Sequence, residues 1–251
     1  MRINELLVYL DELLQVHAFQ DYCPNGLQVE GTRSVQHLVT GVTASQALLD
    51  AAIQIKADAI LVHHGYFWKN ESAPLVGMKG QRIRSLMQAG VHLLAYHLPL
   101  DAHPELGNNA QLARLFDWKI TGPLYPQQSH PIGFQGELAQ PMTAAELSQQ
   151  LAQGLKRKPL HIQGHTRSIR RLAWCSGAAQ GALVDAAALD VDAYISGEIS
   201  EPSVHLAREL GIDYFAAGHH ATERYGVQAL GEHLAHQFGL QHTFIEIDNP
   251  V

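Results

Sequence analysis

The sequence is poor in cysteine and in long apolar runs, and each shortage excludes a class of protein. Its two cysteines, Cys23 and Cys175, form no CxxC pair, which predicts reduced thiols and a cytoplasmic location. No apolar run approaches the roughly 20 residues of a membrane span. The first sixteen residues place leucines on one stripe among acidic residues, which is typical of an amphipathic helix and not of a signal peptide.

Charge is also scarce, since charged residues make up 16% of the chain and the formal net charge is −7. No cluster of lysine and arginine is available to neutralise phosphates, so we expect no nucleic-acid partner. A surface with few charges is compatible with burial between identical subunits. The motifs HExxH, GxxxxGK[ST] and GxSxG are absent, which removes three familiar catalytic frameworks.

Apolar strands alternate with helical segments along the chain, and this pattern predicts an α/β fold. The strands lack two-residue alternation, which favours mostly parallel sheets covered by helices. Residues 21–31 are predicted as a turn-rich segment, and residues 118–142, rich in Pro, Gly and Gln, as a boundary or crossover. We therefore predict two α/β domains, 1–125 and 126–215, with a C-terminal segment, 216–251, that returns to the first.

Histidine is abundant, with 16 residues, and two of them, His63 and His64, directly follow the apolar strand DAILV. Ligands of open α/β sheets collect at the carboxyl ends of strands. Adjacent residues of a strand face opposite ways. At a strand end, where the backbone turns, two neighbouring imidazoles are therefore expected to reach two different ions.

Two further strand ends carry the same chemistry. One runs into His97 and, four residues later, Asp101; the other is followed by His219 and His220, with Glu223 one helical turn beyond. A carboxylate can bridge two cations through its two oxygens, and this mixture suits iron, zinc, manganese or nickel. The three features together predict a site for two divalent ions, whose ligands are His63, His64, Asp101, His219 and Glu223.

Each feature taken alone has a structural alternative. Asp101 can serve a turn, and His219 with Glu223 can be a polar pair at a helix start. The loop SGAAQG can approach a phosphate or simply form a tight turn. Glu198 can support the site, contact a substrate or begin a helix. Eight further histidines are interpreted as hydrogen-bonded, partly exposed residues: His37, His92, His161, His165, His205, His233, His236 and His242.

The motifs PNGLQVEG, GVTAS, ILVHHGYFW, AYHLPLDAHPELGNN and AAGHHATER resemble those of the Nif-three-like family, widely named type 2 homologues of GTP cyclohydrolase I. The resemblance covers essentially the whole chain. It implies a two-domain α/β protomer, a dinuclear metal centre bridged by Glu223, and a ring-shaped hexamer. It also places His97 beside that centre, although HLPLD stands here where many members have HTNLD.

The favoured interpretation is a metal-dependent hydrolase of a small nucleotide-like substrate, including purine ring opening of the cyclohydrolase type. His97 and His220 are the candidates for proton transfer or for orienting ligands. Two alternatives stay open: a metal-binding or metal-delivery protein without turnover, and a ring-shaped interaction scaffold.

Overall fold

The computed structural model describes residues 1–251, and it confirms the α/β class with two mixed sheets covered by helices. The helices are α1 (Ile3–Leu13), α2 (Gln46–Gln54), α3 (Gly77–Ala89), α4 (Leu98–Asp101), α5 (Asn108–Phe116), α6 (Ala144–Leu155), α7 (Leu183–Ala187), α8 (Glu201–Leu210) and α9 (His219–Phe238). The strands are β1 (Gly26–Val29), β2 (His37–Thr43), β3 (Ala59–His64), β4 (His92–Ala95), β5 (Lys119–Pro123), β6 (Phe134–Met142), β7 (Leu160–Ile162), β8 (Ile169–Cys175), β9 (Ala193–Ser196), β10 (Asp213–Ala216) and β11 (Gln241–Phe244). None of these helices combines the length and apolarity needed to cross a membrane.

The chain forms two compact units. The first contains residues 1–106 and 226–248, and the second contains residues 107–225 and 249–251. The boundary predicted near residue 125 therefore lies inside the second unit. The Pro- and Gly-rich composition around residue 125 belongs to the turn of an antiparallel hairpin, in which β5 pairs with β6. Of the C-terminal segment, residues 226–248 belong to the first unit.

The sheet of the first unit has the strand order β1-β4-β3-β2-β11. Its neighbouring strands pair in parallel, except that β1 pairs antiparallel with β4. Its central strands are apolar throughout because both faces are covered. Ile60 of β3 packs with Leu48 of α2 on one face. Leu61, the next residue, packs on the other face with Leu6 of α1 and Leu230 of α9. The carboxyl ends of β2, β3 and β4 therefore meet at one edge.

The sheet of the second unit has the order β5-β6-β8-β9-β10-β7, with parallel pairing of β8, β9 and β10 at its centre. β5 and β6 extend it antiparallel on one side, and β7 pairs antiparallel with β10 on the other. Trp174 packs with α6 on one face. Tyr194 packs with α7 and α8 on the other. Three strands again end side by side.

A buried carboxylate begins β10. Asp213 is fully buried, and its Oδ1 accepts hydrogen bonds from His161 Nε2 at 3.1 Å and from the Gly164 N–H at 3.0 Å. Burial works against ionisation of Asp213, but these hydrogen bonds and the neighbouring His165 and His161 outweigh it and lower its pKa. The ionised carboxylate therefore ties β7 and the following loop to β10.

Replacing Asp213 with Asn is expected to destabilise the protein at pH 7 by about 1–3 kcal/mol, because the donors lose a charged acceptor. A lowered pKa in the folded state stabilises it above the ordinary carboxyl pKa of about 3.9, and the gain is lost as pH falls through the folded pKa. The gap between wild type and variant should therefore shrink below about pH 4. Urea unfolding across pH measures it, with Asp190→Asn, an exposed acid, as the control. A gap of constant size at all pH values would contradict this account.

Candidate metal centre

The first group of predicted ligands lies at the carboxyl ends of β3 and β4. His63 is fully buried, and its Nδ1–H donates to the carbonyl oxygen of Tyr96 at 2.9 Å. That bond leaves the lone pair on Nε2, which lies 3.4 Å from Oδ2 of Asp101. Two ligands that each stand about 2.1 Å from one ion can be up to roughly 4.2 Å apart. The pair therefore fits a shared metal ion.

A short helical turn brings Asp101 to this edge. β4 ends at Ala95, and the backbone N–H of Asp101 then donates to the carbonyl of His97 at 3.1 Å. Pro99 lies in the first turn of α4, where its fixed φ suits the helix start. Asp101 is only 5% exposed. The four-residue spacing in HLPLD thus returns a buried carboxylate to the strand end.

His64 is the last residue of β3, paired in register with Thr43 of β2. Its Nδ1 lies 3.2 Å from the Thr43 hydroxyl. The rings of His63 and His64 remain close, with 4.7 Å between centroids. Each contributes a nitrogen, with one from His97, to a cluster whose three atoms lie within 4.8 Å of one another. This cluster of imidazoles could bind a metal ion.

Asp21 orients His97, and no sequence motif predicts this role for Asp21. Its Oδ1 accepts from His97 Nδ1 at 2.7 Å, and its Oδ2 accepts from the Leu98 N–H and from Asn25, both at 2.9 Å. Burial raises the pKa of Asp21, but the bonds from His97 and Asn25 outweigh it and lower the pKa overall. The ionised carboxylate fixes the proton on Nδ1, so Nε2 of His97 is the atom available for proton exchange.

Cys23 lies with Asp21 and His97, with one ligand atom of each inside 4.8 Å. Burial, with the nearby Asp21 charge, raises the pKa of the Cys23 thiol to about 12. A thiol must lose its proton to bind a metal strongly. The arrangement therefore favours an imidazole and carboxylate site over a thiolate site.

The second group of predicted ligands lies at the strand ends of the second unit. His219 begins α9, and its Nδ1–H donates to Oε1 of Glu198 at 2.7 Å. Its Nε2 lies 3.1 Å from Oε2 of Glu223, which is 3% exposed and one helical turn further on. Burial opposes protonation of His219, but Glu223 and Glu198 outweigh it and raise its pKa to about 9. Glu198 is thus a partner of His219, in the supporting role that is one of its three interpretations.

The loop SGAAQG follows β8 and passes against this pair. Gly177 has a φ of +64°, and a Cβ there would overlap Oε1 of Glu223 and stand 3.1 Å from His219 Nε2. The Gly177 N–H donates to the Thr222 hydroxyl at 3.0 Å, and its carbonyl accepts from the Glu198 N–H at 3.1 Å. Glycine is needed here for both its left-handed backbone and its missing side chain. These contacts agree with the tight-turn interpretation of the loop.

His220 lies apart from these ligand clusters. It is buried in the first turn of α9, and its backbone N–H donates to the carbonyl of Val251 at 2.9 Å. The clusters of metal-competent side chains do not include it. Its assignment to proton transfer remains a prediction, whereas His97 lies directly beside His63 and His64.

Fold and site define a class of protein: a chain of two α/β units with buried histidine and carboxylate clusters, which could bind metal, at the carboxyl ends of parallel strands. Residues 1–250 match the family model described as Duf34/NIF3 (NGG1p interacting factor 3). The chain belongs to this family, as its motifs predicted.

Three similar proteins illustrate the match. A protein of Allochromatium vinosum named "GTP cyclohydrolase 1 type 2 homolog" is 58% identical over 248 residues, which are 99% of this chain and 97% of that protein. The solved structure described as protein ybgI, of unknown function, is 49% identical and covers 100% of both chains with a TM-score of 0.95. A solved structure of TTHA1606 from Thermus thermophilus is 34% identical, covers 100% of both chains and has a TM-score of 0.91.

Proposed function

We propose that the protein is a hydrolase of a small nucleotide-like substrate that depends on two divalent metal ions. The observation that carries the proposal is a repeated geometry. In each unit, Nδ1–H of a buried or half-buried histidine is held by an acceptor, and Nε2 faces a buried carboxylate. Once a metal ion displaces any proton on Nε2, this orientation presents the lone pair that a ligand needs, and an acceptor on the other nitrogen is the usual support of such a ligand.

The number of ligands agrees with two ions. The proposed ligands are His63, His64, Asp101, His219 and Glu223. A catalytic ion is usually held by three protein ligands and keeps an open position. Five side chains supply three ligands to each of two ions only if one of them bridges. Glu223 is proposed for that role because both its oxygens can bind.

Bound ions of this kind lower the pKa of a coordinated water and polarise the bond to be attacked. The chain itself supplies proton transfer through His97, whose Nε2 is left available by the bond between Nδ1 and Asp21. The "GTP cyclohydrolase 1 type 2 homolog" name of the relatives suggests a purine substrate. Water would then add at C8 and the C8–N9 bond would break, with His97 accepting a proton from that water and returning it to N9, so that C8 remains on N7 as a formamide.

The decisive experiment combines elemental analysis of the purified protein with a screen of purine nucleotides followed by mass spectrometry. We expect about two metal ions per chain. Hydrolysis should stop when a chelator removes the metal and return when it is restored. A protein that neither contains nor takes up metal would overturn the proposal. Two ions without turnover of any purine nucleotide would favour metal delivery instead.

The same proposal includes the ring-shaped hexamer and the cytoplasmic location that the family resemblance and the reduced cysteines suggest. Light scattering of the purified protein distinguishes a hexamer from a monomer of 27.6 kDa. The interaction-scaffold alternative gains support only from a stable ring that binds no metal.

A further inference from the structure

The second unit contains a cleft that neither ligand group uses. It has a volume of about 720 Å³ and is formed by the first turn of α6, by β7 and by residues 163–167. Sites for small molecules usually measure about 300–1,000 Å³. Every ionisable side chain that lines the cleft is basic: Lys158, His161, His165 and Arg167. Size and lining together suit a small anionic ligand.

His165 is held in a fixed position in the wall of this cleft. Its side chain is 8% exposed, and its Nε2 donates to the backbone carbonyl of Asp192 at 2.9 Å. Its Nδ1 is buried, makes no hydrogen bond and lies 3.6 Å from Oδ2 of Asp213. These contacts fix the orientation of the imidazole in the wall of the cleft.

The second imidazole of the wall is fixed in position as well. His161 donates from Nε2 to Asp213 and stacks on Phe215, with 4.6 Å between ring centroids and 15° between ring planes. A quarter of its side chain stays exposed. The buried Asp213 thus supports both histidines of the cleft, one through each oxygen.

The acidic groups near the cleft are already engaged. Asp192 accepts from the backbone N–H groups of Arg170 and Arg171 through Oδ2, and from Arg167 Nε through Oδ1 at 3.1 Å. Glu146 turns back onto Thr143 in a capping box. The terminal nitrogens of Arg167, whose side chain is 57% exposed, remain for an external partner. So does the exposed Lys158.

The first turn of α6 adds donors of another kind. Ala144 and Ala145 line the cleft, and the N–H groups of a first helical turn have no partner inside the helix. Such a turn attracts anions through these donors and through the helix dipole. It acts here beside four basic side chains, one of which is more than nine-tenths buried.

We propose that this cleft binds the phosphate group of a small phosphorylated molecule. Lys158 and Arg167 supply mobile positive charge, His161 and His165 form a wall of fixed imidazoles, and the start of α6 supplies backbone donors. The volume leaves room for an organic group attached to the phosphate. The residues that line the cleft include none of the proposed metal ligands.

Isothermal titration calorimetry with inorganic phosphate and with GMP tests the proposal on the purified protein. The variant Lys158→Gln/Arg167→Gln should bind the better ligand at least about tenfold more weakly, since each charge-assisted bond contributes strongly. The control Lys119→Gln/Arg208→Gln removes the same charge from exposed positions outside the cleft. It should bind like wild type.

Tighter binding of GMP identifies a phosphate ester as the ligand, and equal binding identifies free phosphate. Either result supports the proposal if the cleft variant Lys158→Gln/Arg167→Gln loses the binding. The variant Glu223→Ala distinguishes the cleft from the metal ligands. If this variant loses binding and the cleft variant keeps it, the anion binds at the metal ligands and the proposal is overturned. Absence of binding in wild type overturns it as well. If the metal-free protein still binds the anion, the cleft proposal stands even when the hydrolase proposal fails.

Discussion

The double variant Asp101→Ala/Glu223→Ala is expected to lose nearly all of its bound metal and to hydrolyse any substrate at least about a thousandfold more slowly. Asp101 lies 3.4 Å from His63 Nε2, and Glu223 lies 3.1 Å from His219 Nε2. Both carboxylates are buried. Their removal takes away the negative charge that would offset the ions and leaves the imidazoles as the remaining ligands. Elemental analysis measures the metal, and turnover measures the chemistry.

The matched control for this experiment is Glu105→Ala/Glu232→Ala. Both glutamates are exposed, and each lies within ten residues of one of the replaced carboxylates. The control should keep its metal and its activity. Retention of metal and catalysis by the Asp101 and Glu223 variant would end the hydrolase proposal. Circular dichroism of both proteins checks that the two sheets are still formed.

Replacing Gly177 with Ala is expected to reduce metal affinity by about ten- to a hundredfold, the effect typical of disturbing the surroundings of a ligand. The new methyl group would collide with Glu223 and contact His219. The residue would also be held at a φ of +64°, which costs about 1–2 kcal/mol for a residue with a side chain. Competition with a chelating dye measures the affinity, and thermal unfolding measures the stability.

The same loop provides the control, Gly181→Ala. A Cβ at Gly181 meets no atom within 4 Å, and its φ is not in the left-handed region. This variant should therefore bind metal as wild type does. Equal metal affinities of the two variants would show that Gly177 has no influence on the His219 and Glu223 pair.

The strands that could be predicted from the sequence are those paired in parallel. β2, β3, β4, β8, β9 and β10 are buried on both faces, so their apolar runs are visible. β1, β5, β6 and β7 were missed, and each forms only antiparallel pairs. Their exposed or half-buried positions carry polar residues, glycine and proline. Local sequence does not distinguish such strands from loops, because their pairing depends on distant partners.

The predicted ligands could be found because they follow predictable strands. Their supporting partners could not be found from the sequence. Asp21 reaches His97 across 76 positions, and Glu198 reaches His219 across 21. Neither spacing corresponds to a helical turn or to a strand repeat, so no local pattern connects these residues. Gly177 was noticed only as part of a glycine-containing loop, and its contact with Glu223 depends on the tertiary fold.

The order of the segments along the chain has a consequence for folding during synthesis. β11 pairs with β2, with Gln241 opposite His37, so the first sheet is completed by a strand that leaves the ribosome long after β2. Until then β2 has an open edge, which is the kind of surface that joins other chains and aggregates. The second unit consists almost entirely of one continuous segment, 107–225. We expect this segment to be able to fold before β11 is available to pair with β2. A chain that ends before residue 241 therefore contains nearly all of the second unit but leaves the β2 edge of the first sheet unprotected.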